Sequence, residues 1–182
     1  GRLRDSLPKR TQRIAACRNE YVKAITQDPK YEDRDFVVVA DLDGVNTSLT
    51  KDAVHACWNS EASWDACFAN QSTLYYDIWA LRHNLWSPND CWRASEFLQA
   101  HGATQRKAEK ATVLARMITI DPSREPFEVD SAFGGLGIYR KDLFDGCEYL
   151  GLDKDENEFC EHVWIHAMMK RKGASLFIIP AF

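Results

Sequence analysis

Two aspartates follow directly after an apolar run, and their spacing suits the binding of a divalent cation. Asp41 and Asp43 come after the run from Phe36 to Ala40 and before Gly44. Residues at i and i+2 leave a strand on the same side, so both carboxylates can reach one ion. Their hard oxygen ligands suit Mg²⁺ or Mn²⁺, which complete their shells with substrate phosphates. A turn whose aspartates cap backbone amides gives the same pattern, so the spacing alone predicts either.

A basic cluster precedes this acidic pair. Thr11 is predicted to cap a helix with one apolar stripe, and Arg10, Arg13 and Arg18 lie near the start of that helix. Positive side chains at a helix start oppose the helix dipole, so helix stability does not explain them. A phosphate bound by the free amides and the arginines would explain them. A solvated basic face is the alternative.

Aromatic side chains surround a few polar groups in residues 74–82, which are predicted to form a strand or a strand pair. Aromatic rings beside hydrogen-bonding groups are typical of sugar-binding surfaces. The alternative is a core segment in which Asp77 and Arg82 form a structural pair. Farther along, Gly134 and Gly135 interrupt a strand pattern, which indicates a bulge, a close approach of backbone to a ligand, or simple turn chemistry.

A late helix, predicted from about residue 158 to 172, begins with an acid and carries two histidines. His162 and His166 are four residues apart and share a helix face, where they could bind a metal or serve the core. Glu161 at the helix start is either a functional acid or a complement to the helix dipole.

Apolar strands interspersed with amphipathic helices predict an α/β fold with a sheet covered on both sides. The chain has 182 residues, enough for a single domain. A net charge of −4 argues against bulk attraction to nucleic acid or anionic membranes, and no apolar run approaches the length of a transmembrane segment. Six cysteines without a C-x-x-C pair favour buried thiols in a reducing compartment, so a cytoplasmic location is predicted.

Five motifs in series resemble those of GT-A-fold glycosyltransferases of bacterial and large-virus glycan synthesis. They are RTQRIAACRN (10–19), DLDGVN (41–46), ANQSTLYYDIWALR (69–82), SAFGGLGIYR (131–140) and CEHV (160–163). The resemblance spans most of the chain. It implies a single GT-A-like, Rossmann-like domain with a mixed, mostly parallel sheet flanked by helices. Residues 1–85 would form the nucleotide-binding half and residues 86–182 the acceptor half. Because only nine residues precede Arg10, the first strand of that fold is expected to be missing.

The resemblance also implies roles for individual residues. Asp41 and Asp43 would hold Mn²⁺ or Mg²⁺, with Asp41 also near the donor nucleotide. Glu161 would deprotonate an acceptor hydroxyl, and His162, which stands where relatives have a second acid, is the alternative base or a further metal ligand. The remaining implied contacts are with nucleotide or phosphate (Arg10, Thr11, Arg13) and with sugar or acceptor (Asp77, Trp79, Arg82, Gly134, Gly135).

The predicted function is therefore metal-dependent transfer of a hexosyl or deoxyhexosyl group, with inversion. The donor would be a nucleotide-diphosphate sugar, and the acceptor a hydroxyl of a glycan or glycoconjugate. A nucleotidyltransferase acting on sugar phosphates is the first alternative, although no glycine-rich activation loop with a lysine is present near the start. A non-catalytic carbohydrate-binding domain is the second, and it leaves the arginine cluster and the acidic pair unexplained.

Overall fold

The computed structural model describes residues 3–182, a range in which helices and strands are mixed. The five strands are β1 (Phe36–Ala40), β2 (Ala66–Ala69), β3 (Phe127–Glu128), β4 (Leu136–Arg140) and β5 (Leu176–Ile179). The six α-helices are α1 (Leu3–Ser6), α2 (Arg10–Gln27), α3 (Lys51–Asn59), α4 (Cys91–Ala100), α5 (Gln105–Thr112) and α6 (Glu161–Arg171). Short 3-10 helices cover Pro29–Tyr31, Leu114–Arg116 and Lys141–Phe144. Among the helices described, none combines the length and the hydropathy needed to cross a membrane.

The strands form one mixed sheet in the order β1-β4-β2-β5-β3. This confirms the prediction of an α/β protein with a mixed sheet and flanking helices. The prediction of a mostly parallel sheet is wrong, because three of its four neighbouring pairs are antiparallel. The reason is that β4 inserts in the reverse direction between β1 and β2. Strands from the two predicted halves, 1–85 and 86–182, interleave in this order.

Strand direction still gathers the site at one end of the sheet. The pairings make β1, β2 and β5 run the same way, with β4 running against them. The chain therefore leaves β1 and β2 at the same end of the sheet at which it enters β4. The loop after β1, the loop after β2 and the Gly134–Gly135 turn before β4 consequently meet there.

Both faces of the central strands are buried. Ala66 and Phe68 of β2 belong to the core that includes residues of α2 and α6. Cys67 and Ala69 alternate with them and pack on the opposite face with Cys57 of α3. The sheet is thus covered on both sides at its centre, as predicted. The edge strand β1 is covered less completely, since Val38 is 61% exposed.

Residues 74–82 are irregular apart from a turn at 78–80, and they do not form the predicted strand or strand pair. The carboxylate of Asp77 accepts a hydrogen bond from the amide of Ala80 at 3.4 Å, and such local bonds compete with strand formation. One isolated antiparallel bridge joins Arg82 to Ser131. Residues 117–120 are also irregular.

The starts of α3, α4 and α5 are capped by side chains that accept hydrogen bonds from free amides. Helix α4 begins at Cys91, because the carboxylate of Asp90 accepts hydrogen bonds from the amides of Trp92 and Arg93. Residues 3–9 contain α1 and no strand, and residues 1 and 2 lie outside the described residues.

Candidate functional site

One cavity of about 700 Å³, hereafter the site cavity, lies where the loops after β1 and β2 meet the starts of α2 and α6. The strand directions described above explain why segments so far apart in the chain converge there. The cavity brings together eight of the twelve residues predicted for a site from the sequence. These eight are Arg10, Arg13, Asp41, Asp43, Asp77, Trp79, Glu161 and His162.

Arg18 of α2 connects the two acidic sides of the site cavity. Its Nη2 lies 3.2 Å from Oδ1 of Asp41, and its Nε lies 3.1 Å from Oε1 of Glu161. The side chain is only 15% exposed, and its guanidinium lies over the rings of Phe133 and Tyr149, 5.3 and 5.6 Å from their centroids. Arginine is suited to this position because its planar fork can donate to two carboxylates while its face packs on aromatic rings.

The Gly134–Gly135 turn positions the acidic side chains through its backbone. The amide of Asp41 donates to the carbonyl oxygen of Gly135 at 2.8 Å, and Nδ2 of Asn46 donates to the same oxygen at 3.0 Å. On the other side, the amide of Gly134 donates to Oδ2 of Asp77 at 3.3 Å. The backbone of the two glycines is thus hydrogen-bonded to the Asp41 loop on one side and to Asp77 on the other.

Only glycine fits this turn at Gly134. Its φ is +64°, and a Cβ there would lie 2.4 Å from the carbonyl oxygen of Ala69. Gly135 has a φ of +87°, and a Cβ there would lie 2.7 Å from Cγ2 of Val45. The backbone at Gly134 therefore lies close to the end of β2, and the backbone at Gly135 lies close to the loop that carries Asp41.

Asp77 is a carboxyl group with a shifted acidity. Burial raises its pKa to about 6, the amides of Ala80 and Gly134 oppose this rise, and the negative charges of Glu161 and Asp41 add to it. Asp77 is consequently half ionised near pH 6 and mostly ionised at pH 7. Perturbed carboxyls that line a cavity are candidates for functional groups.

Glu161 and His162 begin α6 and line the site cavity. Both are buried, and the Glu161 carboxylate is held by Arg18. The His162 ring stacks on Phe133 with centroids 3.9 Å apart, and within residues 3–182 neither ring nitrogen has a hydrogen-bond partner. Burial, followed by the charge of Arg18 and by His166, lowers the pKa of His162 well below its ordinary value, so the imidazole is neutral at pH 7.

His166 does not join His162 in binding a metal. Its Nδ1 lies 2.8 Å from the hydroxyl of Ser131, and its Nε2 lies 3.0 Å from the hydroxyl of Tyr139. Both nitrogens are therefore used inside the core. Burial, with a smaller contribution from Arg18, lowers the pKa of His166 to about 3. Of the two interpretations of this histidine pair, the core one applies to His166.

The acidic pair fits a hard divalent cation that takes further ligands from a substrate. Within residues 3–182, no group of three or more His, Cys, Asp or Glu side chains is arranged to hold a metal ion. Asp43 is exposed on the cavity wall, and among those residues its carboxylate has no hydrogen bond or ion pair. Asp41 offers a second oxygen besides the one paired with Arg18. Two carboxylates with open oxygens suit Mg²⁺ or Mn²⁺, which bind through one or two carboxylates plus phosphates.

Thr11, Arg82 and the two glycines are the predicted residues that do not line the site cavity. Helix α2 begins at Arg10, and Thr11 does not cap it. Instead, the amide of Thr11 donates to Oε1 of Glu158 at 3.0 Å, and its hydroxyl donates to the carbonyl oxygen of Gly151 at 2.7 Å. Thr11 thus fastens the helix start to the segment before α6.

Arg82 does not line the cavity but holds a residue that does. Its Nη2 lies 3.2 Å from Oδ2 of Asp90, and it does not pair with Asp77. The same carboxylate oxygen accepts from Nε1 of Trp79 at 2.9 Å. Arg82 and Asp90 therefore fix the orientation of the indole that lines the site cavity.

Tyr76 is a site residue that the sequence reasoning did not assign, and Arg18, grouped there with Arg10 and Arg13 as a possible phosphate ligand, was not expected to pair with two carboxylates. Tyr76 lines the cavity beside the acidic pair; burial, then the charges of Asp77, Asp41 and Asp43, raise its pKa. A signal for Arg18 was present, since it stands on the same helix face as Ile14 and Tyr21, within the apolar stripe. A charge inside an apolar stripe is expected to be buried and paired.

A comparison with models of known protein families found no match, and neither did a comparison with curated proteins.

Proposed function

We propose that this protein is a metal-dependent glycosyltransferase with a GT-A-like fold. It would move a sugar from a nucleotide-diphosphate donor to a hydroxyl of a glycan acceptor. The observation that carries the proposal is the convergence, in one cavity, of a carboxylate pair, arginines at a helix start and two further acids (Asp41, Asp43, Arg10, Arg13, Asp77, Glu161). The cavity volume of about 700 Å³ lies within the range of small-molecule sites, about 300–1,000 Å³.

The donor diphosphate binds at the arginine side of the cavity. Arg10 is exposed there, and Arg13, which donates to the carbonyl oxygens of Leu7 and Pro8 at 2.8 and 2.6 Å, stays fixed at the entrance. Asp41 and Asp43 would hold the cation, which when bound would neutralise charge on the departing diphosphate. Trp79 offers an oriented ring to the sugar.

Glu161 accepts the proton of the acceptor hydroxyl. The acceptor oxygen forms a bond to the anomeric carbon while the bond from that carbon to the diphosphate oxygen breaks, and the diphosphate leaves with the bonding electrons. A single displacement of this kind inverts the anomeric configuration. His162 is a weak base, because burial and the charge of Arg18 disfavour the imidazolium that it would form on accepting a proton, and this favours Glu161 over His162.

A screen of nucleotide sugars by thermal shift, with and without Mn²⁺, identifies the donor. A ligand that binds only the folded protein raises the apparent melting temperature, and the donor should do so most strongly when Mn²⁺ is present. Turnover is then followed by product release. Nucleoside diphosphate is expected, whereas release of pyrophosphate would indicate a nucleotidyltransferase.

Asp43→Ala is expected to abolish Mn²⁺-dependent donor binding and to reduce turnover by at least about 100-fold, the scale on which a metal or charge-stabilising group contributes. Asp33→Ala is the matched control, since it removes an exposed aspartate outside the site cavity. Turnover in Asp43→Ala equal to that of the Asp33→Ala protein would refute the metal-dependent mechanism.

A further inference from the structure

Arg18 pairs with two carboxylates that have different tasks in the proposed reaction. Asp41 belongs to the cation site, and Glu161 is the proposed base. One guanidinium therefore occupies an oxygen of each group. Neither carboxylate is fully available in this arrangement, because a cation approaching Asp41 meets the positive charge of Arg18.

His162 supplies a second, independent observation. Its imidazole is 3% exposed, and within the described residues both ring nitrogens lack a hydrogen-bond partner. Buried polar groups in folded proteins nearly always have one. The nearest carboxylate oxygen is Oε1 of Glu161, 3.8 Å from Nε2, which is beyond hydrogen-bond distance. That oxygen is the one that Arg18 holds.

We infer that Arg18 is a two-position residue that exchanges its carboxylate partners for the diphosphate of a bound donor. In the arrangement described above it holds Asp41 and Glu161 together. With a donor present, its guanidinium turns to the diphosphate, Asp41 becomes free for the cation, and Glu161 accepts a hydrogen bond from Nε2 of His162. This inference rests on the proposed function and adds to it an order of events within the site cavity.

The exchange follows from charge and shape. A diphosphate carries more negative charge than one carboxylate and offers the paired oxygens that a guanidinium binds in bidentate fashion. Cation and diphosphate then assist each other, because the diphosphate removes the group that competes for Asp41. The cation alone should bind weakly, and the two ligands should show positive coupling. The base would be released only when the donor is in place.

The test measures binding of Mn²⁺ alone, by water-proton relaxation, and binding of magnesium pyrophosphate, by calorimetry. Arg18→Met should bind Mn²⁺ at least about tenfold more tightly than the wild type, because a competing charge about 3 Å from Asp41 is gone. The same variant should bind magnesium pyrophosphate about tenfold more weakly or worse. A merely structural role for Arg18 would weaken both.

Arg10→Met is the matched control. It removes a positive charge from the same cavity, but Arg10 has no ion pair with Asp41 among the described residues. Its affinity for Mn²⁺ should rise by less than about threefold, as expected for a more distant, exposed charge. Equal gains in the Arg10 and Arg18 variants, or no gain in Arg18→Met, would overturn the inference.

The outcomes separate this inference from the proposed function. If Asp43→Ala lowers Mn²⁺ affinity but Arg18→Met does not raise it, the exchange is wrong and the metal site remains. If Asp43→Ala leaves Mn²⁺ affinity unchanged in both the wild-type and the Arg18→Met backgrounds, the metal-dependent function and the exchange are both refuted.

Two further measurements keep the test decisive. Methionine preserves the stem of Arg18 over Phe133 and Tyr149, and if that variant does not fold, Arg18→Lys replaces it. A lysine ammonium lacks the planar fork with which the guanidinium reaches both carboxylates in a fixed geometry, so the Mn²⁺ affinity of this variant should also rise, by a smaller factor. In NMR spectra of the wild type, saturating magnesium pyrophosphate should slow the exchange of the His162 Nε2 proton with solvent. An unchanged exchange rate would contradict the proposed hydrogen bond from His162 to Glu161.

Discussion

Replacing Gly134 by alanine tests whether the glycine turn holds the two acidic parts of the site cavity together. Gly134 has a φ of +64°, and a Cβ there would lie 2.4 Å from the backbone carbonyl oxygen of Ala69. Gly146 provides a matched control, because its φ is +63° and nothing lies within 4 Å of a Cβ placed on it. The two substitutions therefore share the backbone strain and differ in the clash.

The expected magnitudes follow from this difference. A left-handed conformation costs an alanine about 1–2 kcal/mol, which both variants lose. The overlap with Ala69 forces the end of β2 or the turn to move, and such overpacking costs about 1–3 kcal/mol more. Gly134→Ala should lower the free energy of unfolding by about 2–5 kcal/mol, and Gly146→Ala by about 1–2 kcal/mol.

Urea unfolding followed by circular dichroism measures both values, with Mn²⁺ binding as the second readout. A shifted turn also moves the oxygen of Gly135 that accepts from Asp41, so the Gly134 variant should lose cation affinity while the Gly146 variant keeps it. Equal losses of stability in the two variants would refute the close-approach argument. A destabilised Gly134 variant with unchanged Mn²⁺ affinity would refute the positioning role of the turn.

Two further predictions concern Asp77 and Thr11. The pKa of Asp77 in the folded state, about 6, exceeds its ordinary value of 3.8, so the folded state binds more protons between these two pH values. The stability that this group contributes is present below pH 4 and is lost as the pH rises through 6. The loss is at most about 3 kcal/mol, and it is smaller because the residue is partly exposed. Unfolding free energies at pH 5 and 7 measure it, and Asp77→Asn should flatten the difference; an equally steep dependence in that variant would exclude Asp77 as its source. Thr11→Val should cost about 1–3 kcal/mol through the lost bonds to Gly151 and Glu158 without changing pyrophosphate affinity, and a loss of that affinity would mean that Thr11 serves the ligand.

The sequence allowed prediction of those elements that local periodicity determines. The run Phe36–Ala40 became β1, and the acids after it came to the cavity wall. Helices α2 and α6 also lie close to the predicted ranges, because apolar spacing and end residues are short-range signals. Predicted site residues that follow a strand or begin a helix, such as Asp43 and Glu161, accordingly line the cavity.

The strand order could not be read from the sequence, because pairing depends on contacts between distant segments. Nothing local shows that β4 enters between β1 and β2, and this insertion made the sheet mostly antiparallel. Arg82 is a similar case, since its partner proved to be Asp90 instead of Asp77. Alternation and propensity constrain which segments are buried, but not which of the available partners a side chain meets.

Strand β1 lies at the edge of the sheet, and the two acids that follow it therefore also bear on association between chains. One side of this strand has no neighbour among the described strands, and Phe36 and Val38 are exposed beside it. An exposed apolar edge of this kind is a template for strand addition and aggregation. Asp41 and Asp43 end the strand with negative charge, which repels a like strand that approaches in parallel register. The carboxylates of the candidate site therefore stand where charges that disfavour strand addition are placed at sheet edges.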